Sequence, residues 1–186
     1  MIAAPVNDAS CLRMIAERAR SLAKTRAARR IAGAIGTVEN AVLYIRAKPQ
    51  HPSAQRVEGP TVACDTPQSV RFWAKDPDCV ERSLDFAVMV EVLEPRMLVR
   101  FVTVDLPGVG RHTMPVVGAG HPVNLSPLTA RGVDLKGIGR TAFGMAHSVF
   151  GAVLTAYGLK PIADEIGRIE REEGLIPSDE DEEQSA

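Results

Sequence analysis

The sequence predicts an α+β fold, and three patterns carry that prediction. Apolar residues recur at helical spacing near both ends, period-two alternation fills the middle, and a glycine heptad runs from residue 140 to 158. The expected architecture is an N-terminal helical arm, an antiparallel β-meander of about three to four strands, a buried glycine-rich helix and a short C-terminal helix. The arm occupies residues 1–48, the α+β core domain 61–175 and an acidic tail 176–186.

The first helix is expected to start at Asp8 or Ser10, with Leu12, Ile15, Ala19 and Leu22 on one face. Beyond Arg26, Arg29 and Arg30 interrupt that stripe, and the run IAGAIG is expected to loosen the helix. A further turn or two from Thr37 to Ala47 places Val38, Val42 and Ile45 at helical spacing. The proline-bearing stretch KPQHPSAQRVEGP then reads as a loop separating arm from core.

Strands are expected next. Ser69 to Lys75 is a short candidate. Leu84, Phe86, Val88, Val90 and Val92 alternate with Asp85, Ala87, Met89 and Glu91, which predicts a strand with one apolar face. After Glu94-Pro95-Arg96, alternation resumes with Met97, Val99, Phe101 and Thr103, while Arg100 falls on the other face. Pro107 to Gly110 is a turn, and Arg111 to Val117 can return as an edge strand that tolerates Pro115.

Gly137, Gly144, Gly151 and Gly158 are spaced seven apart, so on a helix they share one face. Gly144, Ser148, Gly151 and Thr155 form a small-residue strip against which another backbone can pack. That strip supports a buried core helix, or a helix–helix seam between copies in a homo-oligomer. The stretch 141–159 is also long enough to span a membrane, but His147 at its centre and its alanine- and glycine-rich composition argue against it. Gly158 looks like a C′ stop, Pro161 opens the last helix and Gly174 ends it. The tail PSDEDEEQSA has too little apolar surface to order itself.

Net charge of −1 hides segregation: Arg13, Arg18, Arg20, Lys24, Arg26, Arg29 and Arg30 cluster early, and ten acidic residues follow Pro161. The asymmetry implies an anionic partner for one end, or the two ends meeting each other. Those seven cations, with Trp73 as a stacking platform, make DNA or RNA the expected ligand of a non-enzymatic binding or assembly module. A self-associating structural protein is the second reading, and a small enzyme with a pocket near His112 to Asn124 the third.

Motifs for specific chemistry are weak. Asp105-Leu106-Pro107-Gly108 resembles a GTP-binding step, but no phosphate loop accompanies it. Leu106 to Gly110 and Leu135 to Gly139 resemble the hairpin of helix-hairpin-helix DNA-binding modules, and each departs from the pattern around it. The histidines His51, His112, His121 and His147 lack metal-ligand spacing, so neither a metal nor another cofactor is expected. Cys11, Cys64 and Cys79 form no CxxC pair, which fits a reducing, cytoplasmic setting.

Overall fold

A computed structural model describes residues 9–48, 70–75, 77–106, 110–125 and 154–175. Its elements are α1 (Ala9–Leu22), α2 (Arg26–Ile35), α3 (Val38–Ala47), α4 (Cys79–Leu93), β1 (Val99–Leu106), β2 (Gly110–Val117) and α5 (Lys160–Glu172). Helices surround a two-stranded antiparallel sheet and one central helix, which keeps the α+β class.

The central helix is the main correction to the sequence expectation. Residues 84–92, expected as a strand, lie in α4, and every residue from Glu81 to Val90 is buried. Leu84, Phe86, Val88 and Val90 alternate with Ala87 and Met89, which are also apolar, so the run is greasy all round. A helix of that kind is a buried one, and period two alone cannot tell it from a strand. The start signal is chemical. Asp78 accepts the Glu81 N–H at 2.8 Å while Glu81 accepts the Asp78 N–H at 3.1 Å, a reciprocal capping box. The sheet therefore has two strands among the described residues, not three or four, and 70–75 forms none.

α1, α2 and α3 each pack on α4, and α5 packs on α2. Ile15 and Ala19, Ile31 and Ile35, Tyr44 and Ile45 join Leu84, Phe86 and Met89 in one apolar cluster, which Ile166 and Ile169 of α5 complete. The α1 stripe of Leu12, Ile15, Ala19 and Leu22 faces that core as its spacing predicts. IAGAIG does not loosen the chain. Thr25 caps a separate helix by accepting the Ala28 N–H at 3.2 Å, and Ala28, Ile31, Ala32 and Ile35 form its buried face. Thr37 caps α3 likewise through the Asn40 N–H at 3.1 Å.

Two glycines of α2 give opposite expectations. Gly36 ends the helix at φ 79°, donating to the Ala32 carbonyl at 2.8 Å. Gly33 is exposed inside the helix, and an added Cβ there meets nothing within 4 Å. Gly33→Ala is therefore expected to stabilise by ~0.5–1 kcal/mol. Gly36→Ala is expected to destabilise by ~1–2 kcal/mol through backbone strain alone. Urea unfolding of both variants checks the pair: the same sign for both would contradict these helix bounds.

β1 and β2 pair from Val99 opposite Val117 to Leu106 opposite Gly110. Val99, Phe101 and Thr113 are buried on one face, and the Ser83 hydroxyl of α4 donates to the Thr113 carbonyl at 3.0 Å. Arg100 stays exposed, as the alternation predicts.

The glycine heptad is described only at its end. Gly144, Ser148 and Gly151 lie outside the described residues, and Thr155 is exposed on the helical turn 154–156. Gly158 does stop that turn: at φ 67° it donates to Thr155 at 3.1 Å, and Leu159 donates to Leu154 at 2.7 Å. α5 closes the same way at Gly174, φ 64°, with Leu175 donating to Glu170 at 2.9 Å. No helix among the described residues is long and apolar enough to cross a membrane.

Candidate functional site

Two arrangements of charge stand out, one exposed and one buried. The exposed one begins on α1, where Arg13 and Arg20 project beside β1. Between them, Leu12 and Ala16 form one wall of a recess of about 470 Å³, and residues Leu98 to Val102 with Val116 of β2 form the other. Val116 lies opposite Arg100, so the recess reaches both strands of the sheet.

Hydrogen-bond parity shows which backbone groups β1 turns away from β2. Gly118 donates to the Leu98 carbonyl at 2.8 Å, so Leu98, Arg100 and Val102 direct their N–H and C=O groups toward β2. Val99 and Phe101 direct theirs away from β2, on the side where α1 packs, and both residues are buried. Pro115, opposite Phe101, follows the same rule on the far side, where its carbonyl accepts from Val123 at 2.8 Å. Among the described residues nothing pairs with the outward groups of Val99 and Phe101.

A second recess, about 450 Å³, adjoins the first and shares Arg20 with it, adding Lys24 and Arg29. Arg13, Arg20, Lys24, Arg29 and Arg100 thus lie along one side of the protein. Glu91 is the one acid among the described residues lining either recess, and it stands 3.8 Å from Arg20.

The remaining predicted cations are engaged elsewhere. Arg26 pairs with Glu173 at 3.2 Å, and Arg30 pairs with Glu173 at 2.7 Å and with Glu172. Here the two ends of the chain meet each other, the alternative the charge asymmetry raised. Arg18 turns inward: its Nε is buried with no hydrogen-bond partner among the described residues.

Trp73 is not a platform for a base. It is 2% exposed and stacks on Tyr44 with ring centroids 5.8 Å apart. Its backbone is left-handed at φ 61°, which costs ~1–2 kcal/mol for a residue with a Cβ. Three partners offset that strain. The backbone N–H donates to Asp85 Oδ1 at 2.7 Å, the indole N–H donates to Glu170 at 2.7 Å, and the Lys48 ammonium lies 3.8 Å from the ring centre.

Around Trp73 sits the buried arrangement, which the sequence did not reveal. Lys48 donates to the Ala74 carbonyl at 3.0 Å and pairs with Asp85 at 3.6 Å, an ionic distance rather than a hydrogen bond. Asp85 Oδ2 is consequently buried without a hydrogen bond among the described residues. Burial pushes the Asp85 carboxyl up to about 6, and it pulls the Lys48 ammonium down. Arg82 donates to the Lys48 carbonyl at 2.7 Å and to the Ile45 carbonyl, capping the end of α3. Burial pulls Arg82 down to about 10. Arg71 grips Glu81 with Nε at 2.7 Å and Nη2 at 3.0 Å. These groups hold α3, the 70–75 segment, α4 and α5 together. Comparison with protein-family models, curated proteins and solved structures gave no match.

The residues expected near an enzymatic pocket meet only in part. His112 Nε2 lies 3.3 Å from Asn124 Oδ1 at the surface, and His121 is exposed. Burial pushes the Cys79 thiol up, the reverse of what a thiolate nucleophile needs. Among the described residues no group of three or more His, Cys, Asp or Glu converges as a metal site.

Proposed function

We propose that the protein is a binding module that holds an anionic chain against the face built by α1, the start of α2 and β1. One observation carries this reading: two adjoining recesses share Arg20 and gather five cations on one side, with Glu91 as their single described acid. Clustered arginine and lysine raise the local concentration of an anion and speed its capture. Nucleic acid is the ligand of this kind that the sequence suggests. With Trp73 buried, its hold on such a strand rests on charge and not on base stacking.

Affinity for an anionic chain should therefore fall steeply with salt. Five phosphate contacts on a single strand give a slope of roughly −3.5 in log K against log salt. Replacing Arg13, Arg20, Lys24, Arg29 and Arg100 with Gln should lower affinity about 100-fold or more at ~50 mM salt. Replacing Arg26 and Arg30 should change it little, because Glu172 and Glu173 already neutralise them. Fluorescence anisotropy with labelled oligothymidine and polyglutamate measures both. No binding of either polymer at ~20 mM salt, or an affinity indifferent to the five substitutions, removes the reading.

A further inference from the structure

We infer that the second recess, beside Lys24 and Arg29, is the docking site of this chain's own acidic C-terminal segment, which an anionic ligand must displace. The inference rests on the cationic-face reading above and adds a competitor for that face.

Charge pairing is the first reason. Ten acidic residues follow Pro161, and five of them lie among the described residues. Each of those five has a partner. Asp164 pairs with Lys160, Glu165 and Glu172 hold Arg168, Glu170 accepts the Trp73 indole N–H, and Glu173 pairs with Arg26 and Arg30. The other five, Asp179, Glu180, Asp181, Glu182 and Glu183, are consecutive and follow Leu175, the last described residue. Residues 176–186 contain no Lys or Arg to neutralise them. In the recess, Lys24 and Arg29 form no ion pair among the described residues, and Arg20 reaches Glu91 only at 3.8 Å, beyond hydrogen-bond distance.

Position is the second. α5 packs on α2, and Glu173 just past its end pairs with Arg26 at 3.2 Å. Arg29, three residues further along α2, lines the second recess. Side chains three apart on a helix start about 5–6 Å from each other, so the clasp that fixes the end of α5 stands next to that recess. Asp179 follows Glu173 by six residues, a reach of up to about 20 Å. Extended, Asp179 to Glu183 spans about 14 Å, long enough to meet more than one cation there.

Tethering is the third. A segment joined to its site by a short connection meets it at an effective concentration on the order of millimolar, which gives it an advantage over any free partner of equal charge. The same segment of a second copy carries the same carboxylates without that advantage.

The experiment uses the full chain and a full-length variant carrying Asp179→Asn, Glu180→Gln, Asp181→Asn, Glu182→Gln and Glu183→Gln. Glu172 and Glu173 are left in place, so α5 keeps its clasp. Anisotropy with labelled oligothymidine reads the competition. A zero-length carbodiimide reads the contact, by joining the Lys24 amine to a carboxylate. The variant is expected to bind oligothymidine about tenfold more tightly than wild type at ~50 mM salt, with the gap closing by ~500 mM. Peptide mapping of the cross-linked monomer is expected to show Lys24 joined to a residue within 179–183, in a yield that falls as oligothymidine saturates the face. That fall separates docking from the variant's altered net charge, which raises affinity without any contact at Lys24. Four outcomes overturn the inference. If the variant gains no affinity while the five-cation variant still loses binding, the segment does not compete, and the anionic-chain reading survives without it. If Lys24 couples to no residue of 179–183, or couples with a yield indifferent to oligothymidine, the segment docks elsewhere. If coupling forms only between chains, the occupant belongs to a second copy. If neither protein binds oligothymidine or polyglutamate, the cationic-face reading falls and this inference with it.

Discussion

Replacing Asp85 with alanine is expected to cost ~3–5 kcal/mol of folding stability, as breaking a buried ion pair does. Asp85 is 0% exposed and serves two neighbours at once. It accepts the Trp73 N–H at 2.7 Å, and it is the carboxylate 3.6 Å from the Lys48 ammonium. Its loss leaves a backbone donor unpaired at a residue already held in a left-handed conformation. It also strands a cation that is 4% exposed. The magnitude comes from the uncompensated charge, so removing the charge should recover most of it. Lys48→Met combined with Asp85→Leu is expected to be far more stable than the Asp85→Ala single variant, because a packed apolar pair escapes desolvation. Urea unfolding of the singles and the doubles completes a cycle. If the effects of Lys48 and Asp85 substitution simply add, the pair is not coupled and this account of the node is wrong.

Wild type is expected to gain stability over Asp85→Asn as pH falls from about 7.5 to about 4.5. Asparagine keeps an oxygen for the Trp73 N–H and removes the charge. The native carboxyl titrates at about 6, against an ordinary 3.8, because burial penalises its charged form. Between those values the native protein binds a proton that the unfolded chain does not. The stability from this group is thus present in full below about 4 and lost as pH rises through about 6, with an upper size of roughly 3 kcal/mol. Burial also raises Glu170, which acts in the same direction and is common to both proteins. Unfolding free energies at half-unit pH steps give the difference directly. A difference that stays flat, or moves toward the variant in acid, would show that the native carboxyl is not displaced upward.

What the sequence revealed divides along physical lines. Features set by a few neighbouring residues were legible: the α1 stripe, the pairing of β1 with β2, the stops at Gly158 and Gly174, and Pro161 at the start of α5. α4 reads as a strand because Ala87 and Met89 make its alternation ambiguous, although Asp78 and Glu81 carry a helix-start signal. α2 was missed because Gly33 suggested weakness, whereas Thr25 and Gly36 mark its two ends. The candidate site was half legible. Arg13, Arg20, Lys24 and Arg29 were identified by charge, but nothing local joins Arg100 to them from 71 residues beyond Arg29. Trp73 was misassigned because its fate depends on Lys48, Asp85 and Glu170, which only the folded chain brings together.

The clasp between Arg30 and Glu173 joins residues 143 positions apart. During synthesis, α2 emerges early and must wait for α5 before Ile166 and Ile169 can cover it. Contacts closed over so long a loop form late, so α2 stays incompletely sheltered until α5 has followed it out of the ribosome. A chaperone that shields apolar helices would act on that interval, and a stop codon placed before residue 160 would make the interval permanent.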